Sequence, residues 1–324
     1  MIKNKTCWVI TDGKIGTLNQ CIGLADNLVR SYKIKTITLK KIWSLLNPYI
    51  KFDNINPCKN STEIQGPYPD ILIIGGRQTV SVGLYIKKQN PSTYLIGVQD
   101  PRISRNKFDL IILPEHDKYR SKNVLTTVGS MHKLTKDRLK EELIKFENKF
   151  KKLHKKTTIS VLIGGNSKNH KMTIENTKRI CEKIKQASLK LDANIIVTAS
   201  RRTPKKCLKL IIQELEQEKN CYIWDNKGEN PYFAMLEKAD FIFVTNDSAS
   251  MLSEATFTGK PVYLLELNGY SGKLHSFQKS LMKKGILKNI NTELIKYKYK
   301  PIENAKEIAN KIKRKISWQL KQSY

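Results

Sequence analysis

One stretch in the second half of the chain constrains the fold most, because it reads as a strand, a helix and a second strand in immediate succession. Phe241–Thr245 is a continuous apolar run, typical of a strand buried on both faces. A helix is predicted from about Asp247 to Gly259, since glycine accepts the left-handed conformation that ends a helix and Pro261 cannot continue one. Val262–Leu265 is the second strand. Such a unit predicts a parallel sheet.

The same alternation runs through the rest of the chain. Further strands are predicted at Cys7–Ile10, Thr36–Leu39, Ile71–Ile74, Tyr94–Gly97, Leu110–Leu113, Val124–Val128, Thr158–Ile163, Asn194–Thr198 and Tyr222–Trp224. Further helices are predicted near Thr17–Arg30, Thr79–Lys88, Thr173–Leu189 and Cys207–Glu216. Residues 47–69, with four prolines, are predicted to be an irregular connection. The fold class is therefore α/β, with two Rossmann-like domains whose strands present their carboxyl ends to a central cleft.

The domain boundary is predicted from a change in composition. Residues 134–156 are almost wholly charged and helical in pattern, which indicates the end of one domain and a linker. We therefore predict an N-terminal domain over residues 1–150 and a C-terminal domain over residues 151–300. Residues 301–324 read as a basic amphipathic helix that we expect to pack back on the N-terminal domain, the alternative being a membrane surface.

The charge of the chain bears on its partners. Lysine and arginine number 59 against 29 aspartate and glutamate, a formal net charge of +30, which favours anionic partners. The lysines are spread through every segment, so two interpretations stay open: ordinary solvated faces, or a basic patch for an anionic membrane surface. Because the aromatic residues lie mostly in predicted strands and do not alternate with lysines, no specific nucleic-acid partner is expected.

The sequence indicates neither a membrane span nor a metal site. No run of about 18 apolar residues exists, and the chain enters a strand without the apolar core of a signal peptide. We expect a cytoplasmic protein, in solution or held by charge at the inner face of the cell membrane. The six cysteines show no CxxC pair and no metal-ligand spacing with the five histidines, so we expect reduced thiols, no metal and no cofactor.

The helix that follows Phe241–Thr245 offers an anion site at its N-terminus. A helix start presents free N–H groups and the positive end of the helix dipole, and both favour phosphate. A glutamate on the same helix face, one turn along, is within reach of a sugar hydroxyl. An ordinary capped helix is the alternative. The residues assigned to this site are Asn246, Asp247, Ser248, Ala249, Ser250 and Glu254.

Two other loops of the second half are typical of phosphate binding. One is predicted to lead into a helix, where free amides would cradle a phosphate, and the other carries two arginines, whose guanidinium groups suit phosphate oxygens. A plain glycine turn and a solvated arginine pair are the alternatives. The three loops at one sheet edge together predict a pyrophosphate site. The residues of these two loops are Gly164, Gly165, Asn166, Ser167, Arg201 and Arg202.

The first half carries its own loops after predicted strands. The glycines of these loops would let the backbone approach a ligand. In the loop after Ile71–Ile74, an arginine directly follows two glycines. A group transfer to a hydroxyl needs a general base, and the candidates are Asp12 and His116, which both follow strands. A loop cap and a hydrogen-bonded structural histidine are the alternatives. The loop residues are Gly13, Gly16, Gly75, Gly76 and Arg77.

Several enzyme classes have no motif support in this chain. The patterns GxGxxG, GxxxxGK[ST] and GxSxG are all absent. These patterns mark nicotinamide-dependent enzymes, P-loop NTPases and α/β-hydrolases respectively. The predicted phosphate-binding loops therefore indicate an enzyme outside these three classes.

The stretch Asp247–Pro261 resembles the nucleotide-sugar site of GT-B fold enzymes. That resemblance implies that Glu254 binds ribose and that the amides of residues 248–250 bind pyrophosphate. The chain departs from the pattern at Ser248 or Ala249, where those enzymes usually carry glycine.

A narrower resemblance spans most of the chain. The motifs TDGKIG at 11–16, GGR at 75–77, PEHD at 114–117, GGN at 164–166 and SRRTP at 200–204 precede NPYFAMLEKAD and VTNDSASMLSEATFTGKPV. In this order they resemble the mitochondrial fission "elongated mitochondria" (ELM) family. Bacterial members look like glycosyltransferases of the GT-B type, whereas the plant member acts in mitochondrial division by recruiting a dynamin-related protein. We take the chain for a bacterial-type member.

The resemblance implies a glycosyltransferase, and the absence of a DxD sequence predicts that it is metal-independent. The second domain would bind a nucleotide sugar as donor substrate, and the first would present a lipid-linked or cell-envelope acceptor. Two alternatives stay open. A nucleotide-sugar 2-epimerase shares the fold and a turn like that at residues 247–255, and a non-catalytic adaptor would dock on a membrane or a partner protein.

Overall fold

The computed structural model describes residue 2 and residues 5–47, 49, 54, 56–60 and 64–322, with side-chain positions as far as residue 316. The chain divides into two compact units. The first comprises Met1–Lys133 together with Glu303–Tyr324, and the second comprises Leu134–Ile302. The division therefore precedes the charged helical stretch, whereas the composition placed the boundary at residue 150.

Short buried strands alternate with helices in the first unit. Its strands are β1 (Cys7–Thr11), β2 (Lys33–Thr36), β3 (Ile71–Gly75), β4 (Tyr94–Val98), β5 (Leu110–Pro114) and β6 (Val124–Thr127). The helices between them are α1 (Ile15–Leu28), α2 (Lys41–Leu46) and α3 (Val80–Gln89).

The strands of the first unit form one parallel sheet in the order β2, β1, β3, β4, β5, β6. Successive side chains of a strand point to opposite faces. Cys7 and Val9 of β1 therefore pack into the core under α1, whereas Trp8 and Ile10 pack into the core under α3. Both faces of the sheet are covered, which explains why its strands read as continuous apolar runs.

The second unit repeats the alternation. Its helices are α4 (Lys136–Phe146), α5 (Ile174–Leu191), α6 (Lys205–Leu215), α7 (Tyr232–Lys238), α8 (Ala249–Phe257) and α9 (Gly272–Lys283). Its strands are β7 (Thr157–Ile163), β8 (His170–Lys171), β9 (Ala193–Ala199), β10 (Cys221–Trp224), β11 (Phe241–Thr245), β12 (Val262–Leu265), β13 (Asn268–Gly269) and β14 (Leu287–Asn289).

The main sheet of the second unit is also parallel, in the order β10, β9, β7, β11, β12, β14. The short strands β8 and β13 pair only with each other and lie outside it. Counted along the chain, the main strands stand in the order third, second, first, fourth, fifth, sixth, which is the Rossmann arrangement.

The charged helix α4 belongs to the second unit because its apolar stripe is buried there. Phe146 at its end and Phe150 just beyond pack with Ala234 and Met235 of α7. The stretch that composition marked as a linker is thus part of a packed core.

The last helix, α10 (Asn304–Gln322), returns to the first unit. Its buried face consists of Ala305, Ile308, Ala309 and Ile312, at the spacing of one helix side, and it packs in the core that contains α1. Asn304 ties its start to the chain after β6, since its side chain accepts from the Val128 amide at 3.2 Å and donates to the Ser130 carbonyl at 3.4 Å.

Most of the predicted strands and helices agree with the structure to within three residues. One strand was misplaced: the prediction was Thr36–Leu39, but β2 ends at Thr36. The apolar residues beyond it are buried because Leu39 leaves the sheet and pairs with Cys58. Helix α2 was missed altogether, since it lies directly before the proline-containing connection and buries none of its residues.

Two further features concern the whole of the described chain. Among the described residues, no helix has both the length and the apolar character needed to cross a bilayer. The six cysteines are all free thiols, and five of them are buried.

Candidate functional sites at the carboxyl edges of the two sheets

Each sheet has one point where the strand order reverses, and the predicted loops lie at these points. In the first unit the reversal falls between β1 and β3, and in the second between β7 and β11. Ligands of open parallel sheets bind outside the carboxyl ends of the strands at such switch points. The two sheets therefore define one candidate site each.

The second-unit switch point is organised around the buried carboxylate of Asp247. Its Oδ1 accepts from the Thr245 hydroxyl at 2.6 Å. Its Oδ2 accepts from the Gly165 amide at 3.0 Å and from the Arg202 guanidinium at 2.7 Å. The side chain is fully buried, and both oxygens are satisfied. Asp247 was predicted to bind a donor substrate, but in this structure its bonds hold β11 to the loop after β7.

The glycine pair after β7 serves the same network. A Cβ on Gly164 would overlap the Asp247 carboxylate, and a Cβ on Gly165 would overlap the Arg202 carbonyl. These glycines are required by packing inside the protein, whereas the sequence suggested that they admit a phosphate.

The predicted phosphate cradle has no free amides. Gly164 donates to the Thr245 hydroxyl at 2.7 Å and Gly165 to Asp247. Asn166 donates to the Arg202 carbonyl at 3.0 Å, and Ser167 donates to the His170 carbonyl at 2.9 Å. The expectation of free amides there is wrong, because the loop turns back into β8 before α5 begins.

The two adjacent arginines have different environments. The Arg202 guanidinium is bound to Asp247 and also donates to the Asn166 carbonyl at 3.2 Å. Arg201 is exposed at the tip of the turn. Of the pair, Arg201 is thus the side chain that could reach a ligand anion without breaking the network.

Asn246, also predicted to bind a donor, holds two strands together at this edge. Its side chain accepts from the Leu267 amide at 2.9 Å and donates to the Leu267 carbonyl at 3.3 Å. The carbonyl of Asn246 accepts from Gln278 of α9 at 2.8 Å. Its observed bonds fix the backbone from which α8 starts.

The N-terminus of α8 is the open part of this edge. Ser248 is the N-cap, and its hydroxyl accepts from the Met251 amide at 3.4 Å. The amides of Ala249 and Ser250 donate to no acceptor within the described part of the chain. A helix start with two open amides is the place at this edge where an anion can be bound.

Glu254 lies one turn further along α8, on the same face as Ser250. Its Oε2 accepts from the Tyr232 hydroxyl at 2.7 Å. Burial, together with the Glu254 carboxylate, raises the pKa of Tyr232 well above its usual value, so the hydroxyl stays protonated and keeps donating. Tyr232 was not among the predicted site residues. The available signal was Pro231 before a helical pattern, which places Tyr232 in a first helical turn.

The first-unit switch point also carries a buried aspartate, Asp12, directly after β1. Its side chain is only 2% exposed, and Oδ2 is bound by the ammonium of Lys14 at 2.7 Å. Oδ1 is buried and has no hydrogen-bond partner. The φ angle of Gly76 is +95°, and a Cβ there would lie 2.8 Å from Asp12 Oδ1, so only glycine fits beside this carboxylate.

A cavity of about 210 Å³ opens at the same sheet edge, and two of its lining residues, Lys14 and Gly76, lie against the Asp12 side chain. Residues following β1, β3 and β4 line it, among them Lys14, Gly76, Arg77, Gln99, Asp100 and Arg102. Asp100 is held by a two-point ion pair with Arg105, whose hydrogen bonds lower the pKa of Asp100. The side chains of Lys14, Arg77 and Arg102 give the cavity a positive rim.

The other first-unit predictions lie around or away from this cavity. Gly13, with φ of +78°, makes the turn after β1, and Gly16 lies in the first turn of α1. His116 follows β5, three strands from β1, so it lies roughly 14 Å from the Asp12 strand end. The strand order therefore places Asp12 and His116 at separate points of the sheet edge. Each stays a separate prediction for the general base.

The architecture defines the class of protein. Over most of their lengths, the chain superposes on GT-B fold enzymes of nucleotide-sugar chemistry. It matches the UDP-GlcNAc 2-epimerase of Methanocaldococcus jannaschii in complex with UDP-GlcNAc and UDP, with a TM-score of 0.54 and 15% identity, covering 97% of this chain and 99% of that one. It matches MurG of Acinetobacter baumannii with a TM-score of 0.53 and 11% identity, covering 96% and 90%. At these identities the likeness shows the fold.

The sequence comparison places the chain more narrowly. The family described as "Mitochondrial fission ELM1" matches residues 15–316, so the chain belongs to that family. It is 28% identical to Mitochondrial fission protein ELM1 of Arabidopsis thaliana over 297 residues, which cover 82% of this chain and 69% of the relative. It is 29% identical to uncharacterized protein RP120 of Rickettsia prowazekii (strain Madrid E), covering 94% and 97%.

Proposed function

We propose that this protein is a glycosyltransferase that takes a sugar from a nucleotide-sugar donor. The observation that carries the proposal is the start of α8, where the amides of Ala249 and Ser250 are open and Glu254 lies one turn along the helix on the same face as Ser250. Amides and helix dipole suit a pyrophosphate, and a carboxylate one turn away suits a ribose hydroxyl. The fold neighbour that was solved in complex with UDP-GlcNAc and UDP supports this ligand class.

In this proposal Glu254 is a pre-oriented ligand for ribose. The Tyr232 hydroxyl holds one carboxylate oxygen, which limits the rotamers that Glu254 must give up on binding. The leaving pyrophosphate would be stabilised by the amides of Ala249 and Ser250 and by the exposed guanidinium of Arg201. Arg202 and Asp247 would act indirectly, by keeping the loops at this edge in place.

The acceptor would occupy the first-unit cavity. Its rim carries Lys14, Arg77 and Arg102, which favour an acceptor with an anionic group. Asp12 is the base we propose for the acceptor hydroxyl. The Lys14 ammonium, on a side chain 70% exposed, would move from Asp12 to the ligand anion and so uncover Oδ2. The carboxylate then accepts the hydroxyl proton as that oxygen attacks the anomeric carbon.

Thermal unfolding against UDP, GDP, CMP, TDP and their sugars tests the donor site. At about 100 times its dissociation constant, a ligand adds roughly 2.7 kcal/mol to the free energy of unfolding. We expect one nucleotide family to raise the melting temperature and Glu254→Ala to abolish that rise. Glu175→Ala, at an exposed first-turn glutamate of α5, is the matched control and should keep it. No rise with any nucleotide, or an unchanged rise in Glu254→Ala, would reject the proposal.

A second candidate is a nucleotide-sugar 2-epimerase. It is favoured by the turn at Asp247 and Ser248 followed by Glu254 and Ala255, which is like that of the 2-epimerases and which the structure shows to be a capped helix start. Product analysis without any acceptor separates the two functions. An epimerase converts the nucleotide sugar alone, whereas a transferase leaves it intact until an acceptor is added.

A further inference from the structure

The short helix α2 of the first unit turns its apolar side to solvent. Ile42 is 71% exposed, Leu45 85%, Leu46 41% and Tyr49, one turn beyond the helix, 68%. The spacing of three and one residues places Ile42, Leu45 and Leu46 on one side of the helix. The other exposed large apolar residues of the described chain are scattered singly, which is normal for a surface. This cluster, Ile42, Leu45, Leu46 and Tyr49, is called the α2 patch below.

The orientation of α2 is fixed by polar contacts on its inner side. The Asn47 amide donates to the Ser81 hydroxyl of α3 at 3.0 Å, and the Ser44 hydroxyl accepts from Gln78 at 2.9 Å. Trp43 packs against the core under α3. Because these inner contacts hold the helix, the α2 patch cannot rotate inward without breaking two hydrogen bonds. Its exposure is therefore a property of the fold.

The charge around the α2 patch identifies its occupant. Residues 36–47, which contain α2, carry Lys40 and Lys41 and no aspartate or glutamate. Lys40 and Lys41 at the helix start are exposed, and so is Lys59, whose amide donates to the Thr38 carbonyl at 2.9 Å. Exposed aliphatic side chains, a tyrosine and flanking lysines are the combination that inserts into the headgroup region of an anionic bilayer.

We propose that the α2 patch docks the protein on an anionic lipid bilayer. A second copy of the chain would bring two surfaces of the same positive sign together, which the formal charge of +30 opposes. Helix α2 is also bound to the segment that lines the first-unit cavity, because Gln78, which donates to Ser44 of α2, follows Arg77 of the cavity rim. Docking would therefore place the cavity close to headgroups carried by the bilayer.

Co-sedimentation with vesicles of phosphatidylcholine and phosphatidylglycerol tests the proposal. The double variant Ile42→Ser/Leu45→Ser should lower the partition coefficient roughly tenfold or more, since each removed side chain contributes apolar surface to insertion. The control is Ile144→Ser/Leu189→Ser, which makes the same change at second-unit positions 74% and 80% exposed. It should bind vesicles like the parent.

The lysines provide a second measurement. Lys40→Ser/Lys41→Ser should weaken binding roughly fivefold for each charge removed, and binding should fall as salt is raised. Vesicles of phosphatidylcholine alone should bind the parent far less. Melting temperature in the presence of the active nucleotide monitors the donor site, which the α2 variants should leave unchanged, so the two proposals can fail separately.

Three results would overturn the docking proposal. The first is a parent protein that does not sediment with anionic vesicles. The second is an equal loss of binding in the α2 variant and in the second-unit control. The third is self-association that Ile42→Ser/Leu45→Ser abolishes without any vesicle binding, which would mean that a second copy covers the α2 patch.

Discussion

The switch points of the two sheets contain the same types of residue, but they differ in the number of donors that bind the buried aspartate. In each unit a buried aspartate follows one strand, a glycine pair follows the neighbouring strand, and one basic side chain pairs with the aspartate. In the second unit, Asp247 receives three donors from Thr245, Gly165 and Arg202. In the first, Asp12 receives only Lys14, and its Oδ1 has no partner.

The number of donors separates a structural carboxylate from an available one. A buried carboxylate with every lone pair engaged holds its loops together and has nothing left for a ligand. A buried carboxylate with an oxygen that has no partner retains the capacity to accept one more hydrogen bond. The same residue types at the same place in two sheets can therefore have opposite roles.

The largest expected effect is the loss of Asp247. Asp247→Ala should lower the free energy of unfolding of the second unit by roughly 2–4 kcal/mol, because it leaves the buried donors of Thr245 and Gly165 without an acceptor. Asp12→Ala should change the stability of the first unit by about 1 kcal/mol or less, since its one partner is a solvent-exposed lysine. Urea unfolding with a probe in each unit measures both. Equal losses would remove the distinction between the two aspartates.

An acid-dependent loss of stability is expected in the first unit. Burial lowers the pKa of His132, which is 5% exposed, to about 4. Between that value and about 6.5 the unfolded chain binds the proton and the folded chain does not, so stability falls as the pH falls, by roughly 3 kcal/mol in all. His132→Gln should flatten this slope in urea titrations from neutral to acid pH. His154→Gln, at an exposed histidine, should leave it unchanged.

The adjacent arginines should differ although they share a turn. Arg202→Ala should destabilise the second unit by about 2 kcal/mol, because it removes a charged hydrogen bond from a buried carboxylate. Arg201→Ala should stay within about 0.5 kcal/mol of the parent, as exposed positions usually do. With nucleotide present the order should reverse, and Arg201→Ala should show the larger loss of ligand-induced stabilisation. Similar melting temperatures for the two variants without nucleotide would contradict the assignment of a structural role to Arg202 and not to Arg201.

The smallest effect is expected at Tyr232. Tyr232→Phe keeps the ring and removes the hydroxyl that orients Glu254, at a cost of about 1 kcal/mol in stability or in nucleotide affinity. Isothermal titration with the active nucleotide measures the change in nucleotide affinity. Thermal unfolding without ligand measures the change in stability. Tyr270→Phe, at an exposed tyrosine, is the control. An unchanged affinity and stability would show that Glu254 needs no support.

Much of the fold could be read from local patterns. Phe241–Thr245 is β11 as the apolar run predicts, and the helix after it ends before Gly259, whose φ of +75° is the left-handed value expected there. These features depend on neighbours within about one helical turn or one strand, so the sequence carries them directly. Helix α2 was missed because its apolar side faces solvent and its polar side is anchored inward.

The candidate sites were predicted only as locations. Asp12, Gly76, Gly164 and Asp247 were assigned to sheet edges because each follows a strand, and that is where they lie. Whether each residue holds the fold together or binds a ligand could not be predicted, because that depends on which groups from distant parts of the chain bond to it. The amides of Gly164–Ser167 look open in sequence and are all engaged in the fold.

The sequence by itself determined the elements: the alternation of strands and helices, the ends of the helices and the residues that follow each strand. Only the tertiary structure decided the strand order, and with it that Gly165 and Asp247, 82 residues apart, share a hydrogen bond. The physical reason is the distance along the chain over which each interaction acts. Propensities and caps act between near neighbours, whereas strand order is decided by packing both faces of a sheet at once, and only that packing brings donors to one buried carboxylate and leaves another without them.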